Sequence, residues 1–376
     1  ARACALPGRF LSTARDAHGS LSGGGVIHGT ASESAVVAMI AARHRARVQG
    51  RLRRGQQGVV YTSAQAHSSI AKGAVVTGIA EAVDDEQGVR LIACDEQWRM
   101  DPAALQRAIE EDLALGRVPL LVCATVGTTS TMAMDDVEAM GAIARRHGLW
   151  LHVDAAMAGG AWLCEEHRAS ARGLEQADSV CMNPHKWLLT NFDCDLLWTS
   201  DRASLTGALS VTPEYLRTGA RERGEEHAID YRDWQVPLGR RFRALKLWFV
   251  MRHYGVEGLA AHVRASVGHA ATFEHLARDE KALEVLPRGG GLCLVCFRVR
   301  GERGVPEARA RADARGRALL AGVNARGRVM LSHTVVTWPG EREGSYTLRL
   351  STGGTFTTEA HVRLALDEVR AVLKEV

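Results

Sequence analysis

The sequence predicts an α/β protein with a large domain, built on a mostly parallel sheet, and a smaller C-terminal α/β domain. Apolar, β-branched runs alternate with helix-length amphipathic segments through the first half of the chain, which is typical of strands joined by crossover helices. The chain has 376 residues, of which 46% are hydrophobic and 24% charged, and this is enough for two globular domains. We place the two domains at residues 1–243 and 244–376.

In the large domain, six strands are predicted, at residues 58–63, 89–94, 118–125, 149–154, 178–182 and 195–199. Asp101 followed by Pro102 predicts the start of a helix, and Gly116 predicts its end. A second helix fits residues 135–147 and closes at Gly148.

The pattern changes in the C-terminal part of the chain. It predicts a helix over 240–278 that is interrupted near Gly255, strands near 283–299 and 328–350, and helices near 305–321 and 357–374. The preceding segment, 210–236, has no clear periodicity and combines Pro213 and Gly219 with a mostly charged run. We expect it to be a mobile loop of the kind that often carries function.

Composition and charge indicate which partners, location and metal sites to expect. The net charge of +4 comes from 47 basic and 43 acidic residues spread along the chain, so neither nucleic acid nor a membrane surface is expected as a partner. No stretch of about 18 apolar residues occurs, and no signal-peptide pattern is found, so a cytoplasmic location is expected. The eight cysteines predict no metal site, because Cys293 and Cys296 form a single C-x-x-C pair in a strand-like run.

Two polar groups follow neighbouring predicted strands, where parallel α/β sheets bind ligands. Asp154 ends the run Leu-His-Val-Asp, and Lys186 lies in Asn-Pro-His-Lys-Trp just after the strand 178–182. Each has an ordinary alternative, a helix cap or a surface lysine. Together they have the two groups that pyridoxal 5′-phosphate (PLP) requires: an amine for the Schiff base and a carboxylate that keeps the pyridine nitrogen protonated.

The glycine-rich run that begins at Gly23 supplies a candidate phosphate site. A helix opening at Thr30 would direct its free N–H groups and positive dipole end at an anion, through Ala31 and Ser32. Thr30 and Glu33 also have the spacing of a plain capping box, which is compatible with phosphate binding. His67 follows the strand 58–63 at the same predicted edge, where an imidazole could stack on the pyridine ring.

These motifs resemble the aromatic L-amino acid decarboxylases, which are group II PLP-dependent decarboxylases with the aspartate aminotransferase fold (fold type I of the PLP-dependent transferases). The similarity runs through nearly the whole chain, in GGGVIHGTASES, QAHSS, ATVGTT, LHVDAA, NPHKWLLTNFDCD and DYRDWQVPLGRRFRALKLWF. Met157 and His28 depart from it, because the family often has tyrosine and glutamine at these positions.

The resemblance implies a role for each matching residue. Lys186 would be the Schiff-base lysine and Asp154 the partner of the pyridinium, with His67 and Ala156 on opposite faces of the ring. Further cofactor contacts are implied for Ala31, Ser32, Thr129 and Asn183, and contacts with the substrate for His185 and Gly239.

Tyr215 matches a loop tyrosine that the family uses to protonate the intermediate left after carbon dioxide departs. Relatives that form aldehydes typically have phenylalanine at this position, or asparagine in place of the histidine at 67. Tyr215 and His67 therefore predict a true decarboxylase. Gly239 matches a position at which glycine accompanies indolic substrates in plant relatives, and this leans towards tryptophan-like substrates.

The resulting prediction is decarboxylation of an aromatic L-amino acid, such as tryptophan, 5-hydroxytryptophan, tyrosine or dihydroxyphenylalanine, to an arylalkylamine and carbon dioxide. The alternatives are a decarboxylase of glutamate or diaminobutyrate type and a PLP-binding but inactive homologue. The resemblance also implies a homodimer with its active site at the subunit interface. The sequence begins well inside the family's sequence, and we expect the family's N-terminal segment, which wraps the partner subunit, to be missing from it.

Overall fold

A computed structural model describes residues 4, 6–16, 19, 21–211, 229–286, 291–302, 305–338 and 341–376. Two sheets organise these residues: a mixed sheet of seven strands and an antiparallel sheet of four. Helices pack on both sheets. Within the described ranges, no helix combines the length and apolar character needed to cross a membrane.

The large sheet contains five strands with parallel neighbours and two strands at one side that pair antiparallel. Its strands in chain order are β1 (Gly24–His28), β2 (Gly58–Ser63), β3 (Val89–Ile92), β4 (Val118–Thr125), β5 (Trp150–Asp154), β6 (Ser179–Met182) and β7 (Asp195–Thr199). They are arranged in the order β1-β7-β6-β5-β4-β2-β3, and β7 is antiparallel to both of its neighbours. The predicted α/β class and all six predicted strands are confirmed.

Strand β1 was not predicted, because its glycines look like part of a loop. A Cβ atom at Gly24 would lie 2.4 Å from the ring of Trp234, and one at Gly25 would lie 2.7 Å from the ring of Trp198. These glycines therefore allow two tryptophan rings to pack directly on the backbone of the edge strand.

Six helices accompany this sheet: α1 (Ala31–Val48), α2 (Ser69–Val76), α3 (Pro102–Ala114), α4 (Val137–Arg146), the single turn α5 (Pro184–Trp187) and α6 (Arg202–Leu209). The Asp101 carboxylate caps α3 by accepting a hydrogen bond from the Ala103 N–H at 2.9 Å. Gly116 and Gly148 have positive φ angles of 74° and 68°, as the predicted helix ends require. Helices α2 and α6 were not among the predicted elements.

Helix α1 lies across the centre of the sheet, with contacts to β4, β5, β6 and β7. Small buried residues such as Ala35, Ala38 and Ala42 allow this close approach. Near its C-terminus, Arg45 forms an ion pair with Asp178 at 2.7 Å, and Asp178 also accepts a hydrogen bond from the Leu151 N–H at 2.8 Å. The packing directs the N-terminus of α1 to the carboxyl ends of the central strands.

The second sheet has the order β10-β11-β9-β8. Its elements are β8 (Leu283–Val285), β9 (Leu294–Val299), β10 (Ser332–Thr337) and β11 (Gly344–Ser351), and the helices around it are α7 (Arg243–Arg278), α8 (Pro306–Ala325) and α9 (Glu359–Leu373). Gly255 interrupts α7 with a φ angle of 64°, as predicted. The helix predicted near 305–321 is confirmed as α8, which continues to Ala325.

The two sheets share a continuous apolar core, in which Trp187, Val263 and Leu292 take part. The Trp98 indole N–H also donates to the Thr337 carbonyl at 2.7 Å. A domain boundary after residue 243 stays a prediction.

All eight cysteines are free thiols. Burial raises the pKa of both Cys293 and Cys296 to about 12, so these thiols are inert at neutral pH. Among the described residues, no cluster of three or more histidine, cysteine or acidic side chains is arranged to hold a metal ion.

Candidate active site

Three neighbouring strands end at the same edge of the large sheet and form the floor of a cavity. In the parallel register, Thr125 of β4 lies opposite Asp154 of β5, and Asp154 lies opposite Cys181 of β6. The cavity has a volume of about 180 Å³ and is lined by Thr30, Ala31, Ser32, His67, Ser69, Thr125, Gly127, Thr129, Asp154, Ala156, Met157, Asn183, His185, Lys186 and Phe192.

Nine of the site residues predicted from the sequence line this one cavity. They are Ala31, Ser32, His67, Thr129, Asp154, Ala156, Asn183, His185 and Lys186. Gly239 lies elsewhere, where its carbonyl accepts a hydrogen bond from the Gln235 amide at 3.1 Å. Tyr215, with most of the predicted loop, lies outside the described residues. The chemical role of each residue stays a prediction.

The N-terminus of α1 provides the anion-binding end of the cavity. The Thr30 hydroxyl accepts a hydrogen bond from the Glu33 N–H at 3.4 Å, and the Glu33 carboxylate accepts one from the Gly29 N–H at 3.0 Å. This cap leaves the first N–H groups of the helix, at Ala31 and Ser32, without an acceptor among the described residues, so they are available to a ligand. The predicted combination of a capped helix start with an anion site is thus geometrically possible.

Asp154 is a buried carboxylate that lies next to two thiols, of Cys123 and Cys181, and the imidazole of His152. One of its oxygens accepts a hydrogen bond from the Ala156 N–H at 3.0 Å, and the Cys181 thiol lies 3.8 Å from the same oxygen. Burial and the nearby Asp154 carboxylate raise the pKa of the Cys123 and Cys181 thiols well above their usual value. Burial lowers the pKa of His152 to about 4, so this imidazole is also neutral. Asp154 is therefore suited to pair with a cationic ligand group.

Lys186 lies in α5, is exposed and lines the cavity, and its backbone N–H donates to the Asn183 carbonyl at 3.0 Å. The adjacent His185 is neutral, because its Nδ1 accepts a hydrogen bond from the Cys194 N–H at 2.8 Å. Burial and the nearby Lys186 ammonium also lower the pKa of His185. Its ring lies 4.4 Å from that of Phe192.

His67 is oriented by the start of α2. The Ser69 N–H donates to His67 Nδ1 at 3.2 Å, and the Ser69 hydroxyl lies 2.8 Å from the same nitrogen. Because Nδ1 accepts the backbone N–H, the ring proton of the neutral histidine is on Nε2. Ser69 therefore sets both the orientation and the tautomer of the imidazole.

Five cavity residues had no assigned role in the sequence-based site: Ser69, Thr125, Gly127, Met157 and Phe192. Ser69, Thr125 and Gly127 lie in motifs already singled out, so position alone could have suggested them. Phe192 lies in the irregular stretch between α5 and β7, where no periodicity predicts which side chains turn inward. The Thr125 hydroxyl is buried and, within the described part of the chain, has no hydrogen-bond partner.

The donor set matches PLP group by group. Free helix N–H groups, the Ser32 hydroxyl and the Asn183 amide suit a phosphate, Asp154 suits a pyridinium, and Lys186 supplies an amine for an aldehyde. The Asn183 amide oxygen and the Thr125 hydroxyl are buried polar atoms still without partners among the described residues, as expected at a site shaped for a polar ligand.

Residues 4–300 match the model of the pyridoxal-dependent decarboxylase conserved domain. The chain belongs to this family. Its cofactor is therefore PLP, and the predicted fold type I architecture is confirmed. Tryptophan decarboxylase 2 of Oryza sativa subsp. japonica is 41% identical over 375 residues, which are 98% of this chain and 70% of that protein.

Two further relatives bear on the site. Phenylacetaldehyde synthase of Arabidopsis thaliana is 41% identical over 363 residues, which cover 96% of this chain and 69% of that protein. The crystal structure of Oryza sativa TDC with PLP and tryptamine superposes with a TM-score of 0.89 at 40% identity, covering all of this chain and 74% of that one. Relatives of this decarboxylase family thus include both an amine-forming and an aldehyde-forming enzyme.

The contact between Ser69 and His67 gives a testable prediction. Replacing Ser69 with alanine removes the hydroxyl but keeps the backbone N–H, so we expect a loss of about threefold to tenfold in kcat/KM, the value of one hydrogen bond. Ser68→Ala is the matched control, because Ser68 is exposed and makes no side-chain cap. Equal kcat/KM values for the two variants in steady-state assays would contradict the positioning role of Ser69.

Proposed function

We propose that this protein decarboxylates an aromatic L-amino acid to the corresponding arylalkylamine and carbon dioxide. The observation that carries the proposal is the convergence of Lys186, Asp154 and His67 on one cavity, in a chain that is 41% identical to a tryptophan decarboxylase. Decarboxylation needs an amine that links the cofactor and a carboxylate that keeps its ring cationic, and this cavity supplies both.

Each residue has a defined task in the proposed mechanism. When bound, PLP supplies the electron sink for the electron pair that is left behind on the substrate when carbon dioxide departs. Lys186 would hold the cofactor through its amine, and Asp154 would hold the proton on the pyridine nitrogen. His67 would pack against the ring. His185 would face the substrate and orient its carboxyl group for departure.

Formation of an amine depends on where the proton goes after carbon dioxide leaves. We propose that the Tyr215 hydroxyl delivers it to the α-carbon of the substrate, by the resemblance to the family's loop tyrosine. The presence of Tyr215 and His67 favours the amine over an aldehyde. By the same resemblance, Gly239 favours indolic substrates.

Product analysis tests this proposal. Purified protein with added PLP should release carbon dioxide and amine from at least one of tryptophan, 5-hydroxytryptophan, tyrosine, dihydroxyphenylalanine and phenylalanine. In air-saturated buffer, Tyr215→Phe should divert most product from amine to aldehyde, because the hydroxyl that returns the proton is lost. Dissolved dioxygen is then the oxidant, and ammonia and hydrogen peroxide are released with the aldehyde. Amine and aldehyde are quantified by liquid chromatography with mass detection.

Tyr231→Phe is the matched control, since Tyr231 lies away from the cavity residues, and its amine output should be unchanged. Unchanged amine output from Tyr215→Phe would contradict the loop assignment. A preference for glutamate or diaminobutyrate would contradict the proposed aromatic substrate class and support the alternative decarboxylase. Bound PLP without turnover of any amino acid would establish the inactive homologue.

We also propose that the partner is a second copy of this chain. The first half of α7 and the segment before it expose many large apolar side chains, among them Val236, Leu238, Phe242, Leu245, Trp248, Phe249, Met251 and Tyr254. Trp248 and Phe249 are 54% and 58% exposed and contact each other edge to face. So many exposed large apolar side chains within one segment are typical of an interface rather than of a monomer surface.

The oligomeric state tests this partner. Light scattering coupled to size-exclusion chromatography should give twice the chain mass of 40.7 kDa. Trp248→Glu should shift the mass to that of one chain, because a charge at the centre of an apolar interface is not solvated. Phe356→Glu, at an isolated site that is 86% exposed, should leave the dimer intact. A single-chain mass for the unmodified protein would contradict the proposal.

A cytoplasmic location completes the proposal. Eight reduced thiols support it, because thiols persist in reducing compartments. Cell fractionation with immunodetection tests it, and recovery of the protein in the membrane or secreted fraction would contradict it.

A further inference from the structure

Behind the cavity, three buried side chains form one continuous hydrogen-bonded chain. His28 at the end of β1, Ser34 in α1 and Asp195 at the start of β7 are all inaccessible to solvent. His28 Nδ1 lies 2.8 Å from the Ser34 hydroxyl, and the Ser34 hydroxyl bonds to Asp195 Oδ2. His28 Nε2 lies 3.0 Å from the Trp234 carbonyl. The antiparallel register places His28 directly opposite Asp195.

The protons of this chain can be counted. The Trp234 carbonyl only accepts hydrogen bonds, so His28 Nε2 carries a proton and donates it. The Ser34 hydroxyl has one proton and lies between two groups, His28 Nδ1 and Asp195 Oδ2, so it can donate to one of them only. The other group must donate to Ser34. Either Asp195 is a carboxylic acid beside a neutral His28, or Asp195 is a carboxylate and His28 an imidazolium.

The two arrangements differ by a proton shift. The Asp195 proton moves to Ser34 Oγ while the Ser34 proton moves to His28 Nδ1, and no proton is gained or lost. The shift converts two neutral groups into two buried charges. Burial is the main cause that lowers the pKa of His28 and raises the pKa of Asp195 well above its usual value.

Neighbouring groups act in both directions on this hydrogen-bonded chain. At Asp195, the carboxylates of Asp154 and Glu33 oppose another negative charge, whereas Lys186 and a hydrogen bond donated by Ser34 favour one. At His28, Arg240 and Arg243 oppose a positive charge on the ring, whereas the Glu33 carboxylate and the hydrogen bond to the Trp234 carbonyl favour one. Burial is the largest cause at both residues and opposes both charges, so it favours the neutral arrangement.

We propose that His28 and Ser34 hold Asp195 as a neutral carboxylic acid, and that this makes Asp195 a positioning residue for the charges of the active site. A carboxylate at 195 would be a second negative charge close to Asp154 and Lys186. It would stabilise the cationic form of the lysine amine and of its link to the cofactor. A neutral Asp195 leaves Asp154 to pair with the pyridinium and leaves Lys186 easier to deprotonate.

The protonation of Asp195 can be measured directly by infrared spectroscopy of the holoenzyme. Protein labelled with ¹³C-aspartate should show the carbonyl stretch of a protonated carboxylic acid well above pH 6, where Asp135, whose pKa burial raises to about 6, has lost its proton. Asp195→Asn should remove this band. The band should remain in Asp112→Asn, because the Asp112 carboxylate is ion-paired with Arg90 and Arg117 and therefore contributes no band of a protonated acid.

The effect of Asp195 on the active site is measured separately, and this second measurement rests on the proposed function. The asparagine amide can donate to Ser34 as the acid does, so the pH midpoint of the visible band of the lysine-linked cofactor should be nearly the same in Asp195→Asn as in the unmodified protein. Removal of a carboxylate would instead lower that midpoint, by about one pH unit or more for a charge this close.

Two results would overturn the proposal. One is absence of the labelled carbonyl band from the unmodified protein, and the other is a lowered midpoint in Asp195→Asn. If Asp195→Asn does not fold, the band of the unmodified protein is followed as the pH rises. Its persistence supports the proposal, and its loss near pH 6 overturns it. The infrared result does not depend on turnover, so failure of the proposed activity would leave it interpretable.

Discussion

The parallel pairing of β4, β5 and β6 is the constraint on which the active site depends. Its register places Thr125, Asp154 and the start of the Asn183–Lys186 segment next to one another at one sheet edge. Helix α1 can reach the same edge because small residues line its sheet-facing side, and its N-terminus closes the anion end of the cavity. A one-residue slip of β5 would turn Asp154 to the other face of the sheet and leave Lys186 without its partner.

The second property of the site is that the side chains behind Asp154 carry no charge. The groups behind Asp154 are polar but uncharged: two thiols with raised pKa values, a neutral His152 and, by our inference, a protonated Asp195. In such surroundings a single carboxylate interacts strongly with a cationic ring, since water and competing charges are excluded. The same burial would make a second carboxylate costly. The chain formed by His28, Ser34 and Asp195 is a way to keep a polar group there without its charge.

Much of this arrangement was predictable from the sequence, because strand ends and helix caps leave local signals. Asp154 and Lys186 each follow an apolar run, and Thr30 has capping-box spacing with Glu33, so all were assigned to one sheet edge. The strand β1 was not predictable, because its position depends on packing against the distant rings of Trp198 and Trp234. Phe192 was not predictable either, because it lies in an irregular stretch whose side-chain directions follow no periodicity. The contact between Ser34 and Asp195, separated by 161 residues, likewise has no local signal.

The central claim is that Lys186 is the residue that links PLP. The sequence has five lysines, at positions 72, 186, 246, 281 and 374, so chemical trapping can distinguish them. Borohydride reduction of the holoenzyme fixes the cofactor to its lysine, and peptide mapping by mass spectrometry then identifies the labelled residue. The account predicts the label on the peptide that contains Lys186. A label on Lys246, whose amine lies 3.1 Å from the Asn191 carbonyl, or on any other lysine, would contradict it.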